Sequence, residues 1–174
     1  MNNSFRLVIL CCASAAGCAL AEYKVEMNAI DSKGVGASVG TVTASAGPNG
    51  SVVLTPKLKG LPPGTHGFHV HANPDCGPKE KDGKMEAGEA AGGHYDPNQT
   101  KKHAGPAGDG HLGDVPPLEV SKSGNATKAV RVPRMKLADL TGKSLVVHEG
   151  GDNFSDQPKP NGGGGTRIAC GVIK

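Results

Sequence analysis

Six of the chain's seven histidines and one aspartate fall in the series His69-x-His71, His94, His103, His111-x-x-Asp114 and His148. Imidazole is the commonest biological metal ligand and suits copper and zinc in particular. A single four-coordinate ion has no use for six histidines and a carboxylate, so the series implies two ions side by side. His94, His103 and His111 are spaced for a loop wrapped around an ion, and Asp114 adds a hard oxygen. Together they close a tetrahedron, which is how structural zinc is held, whereas a working site keeps a position free. His69 and His71 are two apart in an extended segment, so both side chains leave the same face of a strand, and Phe68 and Val70 point the other way. That pair is a rigid platform for the working metal. His148 ends the apolar run Leu145-Val-Val-His, another strand end.

The elements that must position these residues are short strands. Apolar side chains recur at every second position in residues 23–29, the pattern of a half-buried strand, and residues 35–45, 51–58, 66–71, 126–132, 145–148 and 167–173 read similarly. Gly47-Pro48-Asn49-Gly50, Pro62-Pro63-Gly64 and Ser123-Gly124-Asn125 supply turns between them. Only residues 135–140 suggest a turn of helix. The expected fold is therefore an antiparallel sandwich or barrel, all-β, with no internal repeat and no domain linker. Residues 72 to about 117 and 149–166 lack apolar periodicity, and loops of that length in one domain are either disordered or functional. Metal bonds and a disulfide can order a loop that has no core of its own.

The N-terminus reads as a leader. Residues 1–6 carry one positive charge and residues 7–21 carry none, a stretch too short to span a bilayer comfortably but suited to a signal-peptide core. Ala19-Leu20-Ala21 is a small-x-small cleavage site, and Ala15-Ala16-Gly17-Cys18 is an alternative that would leave a lipid on Cys18. With Cys11, Cys12 and Cys18 in the leader, Cys76 and Cys170 remain. In an oxidising compartment they are expected to pair, closing a loop of about 95 residues worth about 4–5 kcal/mol. A net charge of +3 without Lys/Arg clusters gives no indication of nucleic-acid binding. The absence of Trp, with 27 Gly and 13 Pro, favours turns and small core residues over long helices.

Six segments then converge on one family. Gly67-Phe-His-Val-His71 resembles the copper-binding signature of copper/zinc superoxide dismutases, and Gly162-Gly-Gly-Gly-Thr-Arg-Ile-Ala-Cys-Gly-Val-Ile173 resembles their C-terminal signature. Gly93-His-Tyr-Asp-Pro97, Gly110-His-Leu-Gly-Asp114 and His148-Glu-Gly-Gly-Asp152 match intervening segments in order. With Asp156-Gln-Pro-Lys-Pro160, the resemblance is closest to the bacterial exported branch. It covers the whole of residues 22–174, with residues 1–21 as signal peptide.

The resemblance implies an eight-stranded antiparallel Greek-key barrel. It implies copper held by His69, His71, His94 and His148, and zinc held by His94, His103, His111 and Asp114, so that His94 bridges both. It makes Asp152 the carboxylate linking His69 and His103, and Arg167 the cation that guides a small anion to copper. His66 has no ligand role by position. The implied activity is dismutation of superoxide to dioxygen and hydrogen peroxide through alternate reduction and oxidation of copper, with His94 as proton carrier. A periplasmic location is implied, with no membrane span, and a monomer or homodimer as the assembly. A copper-handling protein without turnover and a zinc hydrolase are the competing readings. The first is disfavoured by the complete ligand set with Arg167, the second by the closed zinc set.

Overall fold

Strand β1 (Glu22–Asp31) buries Val25 and Met27 on one face, and a bulge at Asn28 then changes the phase of the pleat. Ile30 consequently turns away from the main core and joins a small cluster around Cys76 and Cys170. The computed structural model containing this strand describes residues 21–174. The leader expected over residues 1–21, with both cleavage sites and Cys11, Cys12 and Cys18, lies outside the described residues apart from Ala21.

The remaining strands follow in chain order: β2 (Gly34–Ala46), β3 (Val52–Leu58), β4 (Gly64–His66), β5 (Phe68–His71), β6 (Lys79–Lys81), β7 (Lys84–Glu86), β8 (Leu118–Val120), β9 (Val130–Val132), β10 (Lys143–His148) and β11 (Arg167–Ile173). Seven of them form a curled antiparallel sheet in the order β5-β10-β11-β1-β2-β3-β9, and β4 pairs with β8. This is the expected all-β antiparallel barrel. The main core is lined from every side by alternate residues, among them Met27, Val42, Leu54, Phe68, Val70, Leu145, Val147 and Ile173. Phe68 and Val70 are fully buried in it, so the opposite face of β5 is left to His69 and His71. No helix among the described residues is long and apolar enough to cross a membrane.

Three features depart from the sequence expectation. The segment expected as one strand over 66–71 is two, because Gly67 leaves the β4–β8 pair and bonds instead to the end of β10: Gly67 N–H donates to Gly150 O, and His148 N–H donates to Gly67 O. A side chain at Gly67 would press on the His69 ring and on Gly151 O. In the segment expected over 126–132, Ala126 bridges to Leu58 and only Val130–Val132 is continuous strand. The long loop after β5 contains a hairpin of its own, β6–β7, all of whose residues are exposed. The helical turn expected over 135–140 is a 3-10 turn at Leu137–Leu140.

Both long loops fold back on the same end of the barrel. The first lies along the free edge of β5: Tyr95 N–H donates to Val70 O, Val70 N–H to Gly113 O, and Ala72 N–H to Gly93 O. This covers an otherwise open sheet edge and sets His94 beside His71 and Asp114 beside His69.

Candidate metal centre

All six histidines of the series arrive at one place, buried, together with Asp114. Two groups of four donors form there, His69/His71/His94/His148 and His94/His103/His111/Asp114, and His94 belongs to both.

The hydrogen bonds of each ring decide which nitrogen is left for a metal. Carbonyl and carboxylate oxygens only accept, so a ring nitrogen that meets one carries the proton and its partner nitrogen presents a lone pair. His69 Nε2–H donates to Asp152 Oδ2 at 2.8 Å, leaving Nδ1 bare. His71 Nδ1–H donates to Gly92 O at 2.9 Å, and His148 Nδ1–H to Gly165 O at 3.1 Å, leaving both Nε2 atoms bare. Those two Nε2 atoms face each other at 3.4 Å. Two lone pairs in that position repel unless a cation lies between them.

The second group is tighter. Nδ1 of His94, His103 and His111 lie 2.9, 3.0 and 3.2 Å from the single oxygen Asp114 Oδ1. Ligands bound to zinc at about 2.0–2.1 Å in a tetrahedron are about 3.3 Å from one another, so the donors are spaced as the edges of such a site. His103 Nε2–H donates to Asp152 Oδ1 at 2.8 Å, which directs its Nδ1 inward. Nδ1 of His69 and of His103 are buried without a hydrogen-bond partner; the Asp114 oxygen is near the latter but not aligned with it. An unpartnered buried nitrogen costs about 1–3 kcal/mol. One such nitrogen belongs to each group, and the donor sets fit a copper and a zinc.

The two groups differ electrostatically. Burial pushes His69, His71 and His94 below the usual imidazole value, and His148 down to about 4. These rings are neutral at neutral pH and ready to ligate. Burial acts the same way on His103, but the carboxylates of Asp114 and Asp152 outweigh it and raise His103 to about 9. Burial raises Asp114, and hydrogen bonds from His103, His111 and His94 more than reverse that, leaving it far below the ordinary carboxylate range. Asp114, the one carboxylate among the four donors of that group, is therefore ionised at neutral pH and faces the protonated His103.

Asp152 ties the groups together, one oxygen to each. Its carboxyl is held well below the ordinary value because bonds from His103 and His69 overcome the effect of burial. Gly162 lies against this bridge with φ at +75°, and a Cβ there would sit 2.2 Å from Asp152 Oδ1 and 2.8 Å from His103 Nε2. Only glycine allows the second loop to approach so closely.

Arg167 begins β11, which pairs with the end of β10 at His148. Its Nη1 donates to Gly88 O at 2.5 Å and its Nη2 to Gly92 O at 2.8 Å. Arg167, His71, His94 and His148 line one pocket of about 520 Å³. The Cys76–Cys170 disulfide, three residues along β11 from Arg167, pins the first loop to this strand.

Several contributors were not singled out from the sequence. The carbonyls of Gly92 and Gly165 orient His71 and His148. Arg134 donates to the carbonyls of Pro106, Gly110 and His111, clamping the loop that carries three donors. Asp156 accepts from His103 N–H; its place in the segment 156–160 was the available clue. His66 stays outside both groups, its ring between the carbonyls of His148 and Pro62.

A Greek-key barrel bearing two adjacent donor sets with one shared histidine defines a class: a β-barrel protein with two adjoining metal-type sites. The sequence pattern of copper/zinc superoxide dismutase matches residues 38–173. The chain is 56% identical to the Cu-Zn superoxide dismutase of Escherichia coli K12 over 171 residues, 98% of each chain. Its fold matches the Cu/Zn superoxide dismutase of Brucella abortus, with a TM-score of 0.86 and 50% identity over 88% of this chain and all of the other. It also matches the solution structure of the monomeric enzyme from Salmonella enterica, with a TM-score of 0.79 and 57% identity over the same shares. The chain belongs to the copper/zinc superoxide dismutase family.

Proposed function

We propose that this chain converts two superoxide anions and two protons into dioxygen and hydrogen peroxide, using copper at His69, His71, His94 and His148 and zinc at His94, His103, His111 and Asp114. The observation that carries the assignment is His94. Its Nδ1 faces Asp114, and the same side chain belongs to the group that opens on the pocket, so one residue serves both donor sets.

Bound copper supplies a reversible one-electron couple, and bound zinc a fixed positive charge. The chain does the rest. Arg167, anchored by two backbone carbonyls in the pocket wall, attracts and orients a small anion beside His71 and His148. Burial lowers the Arg167 pKa, and Glu89 and Glu86 offset part of that, so the guanidinium stays charged at neutral pH. His94 Nε2 can take up a proton on the pocket side and deliver it to the anion as peroxide forms, while Nδ1 stays directed at Asp114. Asp152 keeps His69 and His103 in the tautomers that ligation needs. The disulfide holds the loop that bears Gly88 and Gly92, and through it the position of Arg167.

Residues 1–21 are proposed to be an export leader, with residues 22–174 acting in the periplasm, where the disulfide is stable. Metal analysis and a superoxide assay on the exported protein test the function. One copper and one zinc per chain with rapid dismutation is the expected result, and loaded protein without dismutation favours a copper-handling role. Mass spectrometry of the same sample separates cleavage before Glu22 from lipidation of Cys18, and sedimentation separates a monomer from a homodimer.

A further inference from the structure

The pocket over the metal centre is lined by three cations, Lys81, Lys84 and Arg167, and by three carboxylates, Asp82, Glu86 and Glu89. Apart from any bound metal, its walls are therefore formally neutral. That is an odd lining for a site whose substrate is an anion. One carboxylate is not a bystander. Glu89 Oε2 lies 3.2 Å from Arg167 Nη2, and Glu89 Oε1 lies 3.2 Å from Lys81 Nζ.

We propose that Glu89 is a specificity-determining residue that sets how strongly the pocket draws a small anion, by placing one carboxylate between the two cations an incoming anion would otherwise meet together. This rests on the proposed dismutase reading of the same site. Glu89 opens a 3-10 turn, Glu89–Ala91, that lies between the carbonyls of Gly88 and Gly92. Those two carbonyls already fix the Arg167 guanidinium through Nη1 and Nη2. The carboxylate is therefore not needed to hold Arg167 in place. Its effect is on charge: with it, the Lys81/Glu89/Arg167 unit carries one net positive charge, and without it two. It also reaches the β6–β7 hairpin, whose residues are otherwise exposed, through Lys81. Side-chain exposure of 21% for Glu89 and 13% for Arg167 keeps this pair partly shielded from solvent, so it is screened less than a surface pair.

The test uses the full chain loaded with copper and zinc, and azide as the anionic probe, followed through the visible absorption of copper. Glu89→Gln keeps the shape and removes the charge; Glu89→Asp keeps the charge. Glu89→Gln is expected to tighten azide about two- to fivefold at low ionic strength. It should raise kcat/KM for superoxide by a similar factor, and both gains should shrink as salt is added. Glu89→Asp should stay near the parent in both. Should a melting curve show that Glu89→Gln has not folded, Glu89→Ala must shift azide in the same direction. Unchanged azide affinity in the neutral variants overturns the proposal. So does weaker azide binding with slower turnover, which would make Glu89 a strut for Arg167. The azide reading needs no turnover, so a parent protein that fails to dismutate superoxide defeats the proposed function and leaves this test standing.

Discussion

The two halves of the centre are built on opposite principles. His69, His71 and His148 stand on strands whose other faces are fixed in the main core by Phe68, Val70 and Val147. Their rings are neutral and are oriented one at a time by Asp152, Gly92 and Gly165. His94, His103, His111 and Asp114 stand on a loop without regular strand of its own at these positions, clamped from outside by Arg134 and Asp156. Their ring nitrogens converge on a single carboxylate oxygen. The strand half is organised by hydrophobic packing before any ion arrives. The loop half is organised by polar contacts that a cation completes. That difference suits the division of labour: an open site needs rigid walls, and a closed one can be wrapped.

The severest way to break the comparison is to remove the residue common to both halves. His94→Ala should lower superoxide turnover by about 10³-fold or more and reduce retention of both metals, as measured by assay and metal analysis. Loss of zinc alone would place the working site wholly on the strands. Asp152→Asn comes next. Disturbing a partner of this kind costs about 10–100-fold in metal affinity, and chelator competition should show the loss falling on zinc. The strand half retains His71 and His148, whose orienting carbonyls the substitution does not touch. An equal loss of copper would mean that the strands are less organised than their packing indicates. Arg167→Ala should lower kcat/KM about tenfold and flatten its salt dependence, with both metals still present. Turnover and salt dependence unchanged would end the guiding role. The mildest test adds no mutation. Stripping the metals should speed amide exchange across residues 94–114 while Phe68–His71 and Lys143–His148 stay protected; uniform acceleration would erase the distinction between the halves.

The donors were legible because metal chemistry restricts both residue type and spacing, and because β5 alternates cleanly between apolar and polar positions. His69 and His71 could be placed on one face for that reason alone. The β6–β7 hairpin was not legible: Lys79-Glu-Lys81 and Lys84-Met-Glu86 bury nothing, so no hydrophobic period marks them. The expected strand over 126–132 overran because Ala126 and Val130–Val132 each find a partner in β3, while Thr127, Lys128 and Ala129 between them do not. The break at Gly67 was equally hidden, since its cause is a bond to Gly150 more than eighty residues away. The carbonyls that orient His71 and His148 belong to glycines, and an acceptor on the backbone leaves no trace in residue type. Glu89 lay in a stretch read only as loop.

Gly92 O accepts from both His71 Nδ1–H and Arg167 Nη2. A machinist would recognise the arrangement as a common datum. In the proposed site, the group that would receive the anion and a group that would hold the metal stand on different strands and are both referenced to that one atom. Their spacing is thus tied to two hydrogen bonds at a single carbonyl as well as to the strands that carry them.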